Sequence, residues 1–92
     1  MQLVVEFFGM ARRLAGAKET TVELPEGATL RDVARAIGRR HPKLVGPLIE
    51  PHSSDLAEPY VFSHDGRFVS PTLDVAVEPG ERLVLMFPPA GG

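Results

Sequence analysis

The stretch VEPGERLVLMFPPAGG (residues 77–92) opens on an acidic turn, runs through an apolar strand and leaves it by two prolines and a diglycine. Arg82–Phe87 reads as the strand, rich in residues that suit a pleated, half-buried surface. Pro88 and Pro89 can neither donate to a sheet ladder nor continue as a helix, so they favour an extended, projecting chain. Ala90, Gly91 and Gly92 follow with almost no side chain between them. A segment of this kind suits threading through a narrow opening, although a frayed terminus of small residues is the plain alternative. The expected division is one domain over 1–87 and an extended, flexible tail over 88–92.

Upstream, QLVVEFF (2–8) predicts a strand with Val4, Glu6 and Phe8 on one face and Leu3, Val5 and Phe7 on the other; Glu6 marks the wetter side. GMARRLAGAKE follows as a glycine-punctuated connection with room for a short helical turn. TTVEL (20–24) predicts a second strand. The best helix signal lies at 29–41, where Leu30, Val33, Ala34 and Ile37 repeat as one apolar stripe. Thr29 and Asp32 are spaced as a capping box, with Asp in place of the usual Glu. Arg39, Arg40 and His41 suit the negative end of the helix dipole, and Pro42 ends the helix.

From 43 to 59 the pattern dissolves, with Leu44, Val45, Leu48 and Ile49 as expected core anchors. YVF (60–62) and RFV (67–69) flank SHDG, where Asp65-Gly66 is a two-residue hairpin signal. The order is thus close to ββαβββ, with one convincing helix. One helix covers one face of a small sheet, yet the first and last strands are apolar on both faces. An exposed apolar patch beside the C-terminus follows, and such patches mark protein contacts.

The composition of this 92-residue chain bounds its chemistry. It has 43% apolar and 24% charged residues, as expected of one globular domain. A formal net charge of -2 gives no reason to expect nucleic acid as a partner. The basic clusters Arg12-Arg13 and Arg39-Arg40-His41 with Lys43 read as solvated surface or, less simply, as a docking site. With no cysteine there is no disulfide, thiolate metal site or cysteine nucleophile. His41, His52 and His64 show no metal-ligand spacing, and His64 beside Asp65 reads as turn chemistry. No phosphate-binding glycine motif is present, so no bound nucleotide is expected. Met1 leads straight into strand-like sequence and no apolar run reaches transmembrane length, so a cytoplasmic protein without membrane contact is expected.

VVEFFGMARRLAGAKETTVELPEGATLRDVARAI (4–37) and the opening stretch 77–92 together resemble the ubiquitin-like sulfur carriers of the MoaD/ThiS family, most closely its molybdopterin synthase small-subunit branch. The resemblance implies an α+β fold of the β-grasp (ubiquitin-like) class. Its mixed four- to five-stranded sheet packs on one main helix, about 30–41, with the first and last strands central and parallel.

The resemblance also implies a chemistry. A terminal carboxylate, with a pKa of about 3.5, is ionised at neutral pH and a poor electrophile. A ubiquitin-activating-type enzyme would use its own ATP to adenylate Gly92, and a sulfurtransferase would supply sulfur to leave a thiocarboxylate. Gly91 and the Pro88-Pro89-Ala90 root would deliver it into a larger catalytic subunit of molybdopterin-synthase type. Glycine at 91 and 92 leaves no Cβ to clash in a channel, and the prolines reduce the entropy lost on insertion. The chain would be a carrier, not catalytic alone, with no cofactor or metal of its own. The family's partner-facing apolar positions fall on Phe8, Phe68 and Phe87. Only Ala90 separates the prolines from the diglycine, one residue fewer than is common in the family, which shortens the reach by about 3.3 Å. Other destinations for the sulfur are cysteine, thiamine or tRNA thiolation. Rival readings are a protein modifier and a β-grasp binding module without covalent chemistry.

Overall fold

The computed structural model describes residues 1–65 and 72–87 in full and the backbone of 68–69. Strand β1 (Gln2–Phe7) buries Leu3, Val5 and Phe7 and turns Val4 and Glu6 to the other face, the split that Glu6 predicts. Strand β2 (Glu19–Glu23) pairs with it antiparallel. The last strand, β5 (Arg82–Met86), lies on the other side of β1 and parallel to it, with Val5 opposite Leu83 and Phe7 opposite Leu85. β3 (Val61–His64) and β4 (Phe68–Val69) complete a five-stranded sheet of order β2-β1-β5-β3-β4. This is the expected β-grasp arrangement.

The main helix, α2 (Leu30–Arg40), buries Leu30, Val33, Ala34 and Ile37, together with Gly38. Both halves of the capping box form. The Asp32 carboxylate accepts from the Thr29 N–H at 2.9 Å, and the Thr29 hydroxyl accepts from the Asp32 N–H at 3.3 Å. The N–H groups of Leu30 and Arg31, which no helix can satisfy internally, donate to the carbonyls of Val75 and Leu73 at 3.0 and 2.9 Å. A loop that the sequence leaves irregular therefore closes the start of the helix.

One expectation is made specific and two change. The short helical turn allowed for after β1 is a helix, α1 (Met10–Ala15), without a full apolar stripe: it buries Ala11 and half-buries Leu14 and Ala15. Glycines bracket it: Gly16 has φ 71°, and its N–H closes on the Arg12 carbonyl at 2.9 Å. In the 43–59 segment Leu44, Leu48 and Ile49 are buried as expected, but Val45 is 37% exposed. Its methyl instead lies over α2, where a Cβ on Gly38 would stand 3.1 Å from Val45 Cγ2. Finally, the β3–β4 register pairs His64 with Phe68, which leaves three residues, not two, in the hairpin connection. His64 is not a turn residue: it is buried at the end of β3 and bonded to Glu81.

The second face of the sheet is less open than the strand pattern suggests. Val84 sits there at 5% exposure, flanked on its own strand by Arg82 and Met86 and across the sheet by Glu6 and Ser63. Arg82 reaches Glu6 and Glu19, each at 2.9 Å. Its stem and this ion cluster screen apolar surface that would otherwise meet water.

Candidate partner-docking site

Apolar exposure gathers at one end of the sheet, where β1 and β5 both finish. The Phe8 N–H donates to the Leu85 carbonyl at 3.1 Å, which extends the parallel register one residue and brings Phe8 alongside Met86. Phe8 is 45% exposed and Phe87 49%. Phe87 would point into the core if β5 kept its alternation, but the strand stops at Met86 and the ring turns onto Tyr60. Their centroids lie 4.3 Å apart, tilted by 54°. Aromatic contacts in this range hold a ring in place without burying it. Met10, also exposed, opens α1 two residues after Phe8.

A cation frames the patch. Arg12 donates from Nε to the Phe7 carbonyl at 3.1 Å, and this tether sets its guanidinium 5.5 Å from the centre of the Phe8 ring. That distance is within cation–π range, worth about 0.5–1 kcal/mol at an exposed site.

Of the residues expected to face a partner, Phe8 and Phe87 are exposed at this end as foreseen. The side chain of Phe68 and the tail residues Pro88, Pro89, Ala90, Gly91 and Gly92 lie outside the described residues. Sequence reasoning missed Tyr60 and Met86. Tyr60 carries the one available signal, as an aromatic standing just before a strand. Arg12 is read from the sequence, with Arg13, as solvated surface or a docking site, and its contact with Phe8 depends on α1. Among the described residues no group of three His, Asp or Glu side chains could hold a metal ion. No helix of those residues is long and apolar enough to cross a membrane.

The ThiS family model matches the chain over residues 5–92. The chain belongs to the ThiS family, the ubiquitin-like sulfur carriers of MoaD/ThiS type. Among its relatives, the molybdopterin synthase sulfur carrier subunit of Chlamydomonas reinhardtii is 29% identical over 92 residues, the full length of both chains. A solved structure from Pyrococcus furiosus, a putative molybdopterin converting factor subunit 1, is 30% identical with a TM-score of 0.73. It covers 96% of this chain and 98% of its own. SAMP1 from Haloferax volcanii superposes with a TM-score of 0.83 over the whole of both chains at 23% identity, a likeness of fold alone. In this ThiS-family chain, residues 88–92 fall within the family match, beyond the Phe8–Phe87 patch.

Proposed function

We propose that this chain is the sulfur carrier subunit of a molybdopterin-synthase-type complex in the cytoplasm. The observation that carries the reading is the family match running through residue 92, joined to a full-length relative named as that subunit. The Gly92 carboxylate attacks the α-phosphorus of ATP in a ubiquitin-activating-type enzyme, forming an acyl-adenylate and releasing pyrophosphate. Sulfide then displaces AMP to leave the thiocarboxylate; a persulfide from a sulfurtransferase does the same once a second thiol has cleaved the acyl disulfide. The larger catalytic subunit takes the sulfur from the inserted tail. Nothing in the sequence offers a nucleotide, metal or cofactor site, so ATP belongs to the activating partner.

Phe8 and Phe87 give the partner its apolar anchor, and Pro88-Pro89-Ala90 links that anchor to the diglycine in sequence. Aromatic anchors of this kind supply much of the affinity of a small interface.

Intact mass tests the reading. After incubation with ATP, an activating enzyme of this type from the same source and a sulfur donor, the protein gains the mass difference of one oxygen replaced by sulfur. A Gly92-deleted chain gains nothing. No gain with a competent activating enzyme overturns the carrier reading, and lysine-linked adducts in cell extract favour a protein modifier instead.

A further inference from the structure

The charges of this chain are sorted by end. The C-terminal ends of β1 and β5 lie together because the strands are parallel. α2 finishes at that same end, with the His41 ring edge-on to Phe7 at 5.3 Å. Around it stand Arg12, Arg13, Lys18, Arg40 and Lys43, all exposed. Arg13, Arg40, His41 and Lys43 line one open pocket between α1 and the turn after α2. The Lys18 carbonyl, bonded to the Phe7 N–H at 2.8 Å, ties that residue to the same end. Among the described residues none of these five cations is paired with a carboxylate. Of the other described arginines, Arg31, Arg35 and Arg82 are paired, and Arg39, exposed on the β2 side of α2, is not.

The opposite end is acidic. Glu26 and Glu78 line a single cleft beside Met1, and Glu23 and Asp65 are exposed at the same starts of β1 and β5. Among the described residues two carboxylates are exposed at the apolar end: Glu19, next to Lys18 and paired with Arg82, and Glu58, on the Tyr60 side away from α1. Among its described residues, a chain of net charge -2 thus carries most of its unpaired positive charge, all but Arg39, on one flank of its apolar patch.

We infer that this basic flank, Arg12, Arg13, Lys18, Arg40 and Lys43, is a second, electrostatic half of the docking face and fits an acidic rim on the ubiquitin-activating-type enzyme that first receives the tail. The inference rests on the carrier reading and adds to it the charge and position of the partner's surface. Its occupant follows from complementarity and from continuity: Arg12 touches the Phe8 ring, and Arg13, next in α1, opens the basic pocket. Unpaired charges at a rim act chiefly on the encounter rate, orienting the molecule before the apolar contacts form. A polarised carrier approaches an acidic site tail-end first. The acidic end is turned away by the same field.

The test measures the association rate with the ubiquitin-activating-type enzyme of the same source by stopped flow, at low and high salt. Thiocarboxylate formation is followed in parallel by mass. Arg13→Glu with Lys43→Glu lowers the association rate constant about tenfold at low ionic strength. The difference shrinks as salt rises and screening sets in. Adding Glu26→Lys and Glu78→Lys restores the net charge while inverting the polarity, and it leaves the rate low. Circular dichroism of each variant excludes misfolding, since all four positions are exposed.

Rates equal to wild type, or a rate that follows net charge alone, overturn the proposal while leaving the carrier reading intact. Salt-sensitive binding of duplex DNA lost with Arg13→Glu and Lys43→Glu, at unchanged activation rates, overturns it in favour of nucleic acid. If wild type itself acquires no sulfur, the carrier reading fails and the proposal falls with it.

Discussion

The two ends of α2 treat their polar groups in opposite ways. At its start every group is engaged. Thr29 and Asp32 cap each other, and Arg31 bonds Asp74 at 3.0 Å and the Ser53 carbonyl at 2.8 Å while also pairing with Asp55. The loops 50–55 and 72–76 are held to the helix by these contacts. At its end, Arg40 and Lys43 have no carboxylate partner among the described residues, and the neighbouring aromatics Phe8 and Phe87 stay half in water. One end uses its chemistry to make the fold; the other holds it available for another molecule. Charge near a helix end is thus no guide to role until its partners are known.

That contrast can be broken by mutation. The largest effect belongs to the open end: Phe87→Asp weakens binding to the activating enzyme at least about 30-fold, near 2 kcal/mol, as measured by calorimetry. Its unfolding midpoint barely moves, because the ring is already half exposed. A large drop in stability with unchanged affinity would assign Phe87 to the core instead.

The closed end predicts the converse. Thr29→Ala removes the helix cap and costs about 1 kcal/mol of stability, read from denaturant unfolding, with affinity for the partner unchanged.

Acid sharpens the same distinction by a smaller amount. The Arg31 hydrogen bonds hold the carboxyls of Asp55 and Asp74 below the usual range, and the Thr29 backbone N–H does so for Asp32. Lowered in the folded state, these groups stabilise it fully at neutral pH. The contribution is lost as pH falls below the ordinary carboxylate value of about 3.9 and through the depressed folded values. Thermal melts across that window should show the loss, and Arg31→Ala should flatten it.

The smallest effect is at Gly38. Ala there gains about 1 kcal/mol of helix propensity. Its Cβ also crowds Val45 Cγ2 at 3.1 Å, so the net change stays within about 1 kcal/mol. Gly38→Leu, which overfills the contact, destabilises by about 1–3 kcal/mol in the same unfolding assay.

What was legible in the sequence follows from periodicity. The stripe Leu30–Val33–Ala34–Ile37 and the pair Thr29–Asp32 specify α2 and its cap because both signals are local. Glu6 marks the wet face of β1, which places Phe8 outside. α1 shows only as room for a helical turn, because six residues burying one alanine leave no repeat to detect. Phe87 could not be placed from alternation, since its exposure depends on β5 stopping one residue short and on a ring, Tyr60, just before β3. The basic flank was visible as composition, in Arg12-Arg13 and Arg39-Arg40. The choice between solvated surface and docking site was not, because only the packing of α1 against the end of α2 shows which cations stand together and unpaired.

The parallel pairing of β1 with β5 has a consequence for how the molecule comes into being. Val5 meets Leu83 from far along the chain, so the centre of the sheet cannot close before β5 has been made. Until Leu83 and Leu85 have left the ribosome, β1 has β2 on one side and an unsatisfied edge on the other, with the underside of α2 uncovered. Contacts so distant along the chain also make folding slow for a domain of this size. The docking face therefore forms only once β5, the strand that leads into the tail, is in place. A chain cut short of β5 would not persist as a docking-competent carrier lacking only its chemistry. It would lack a sheet.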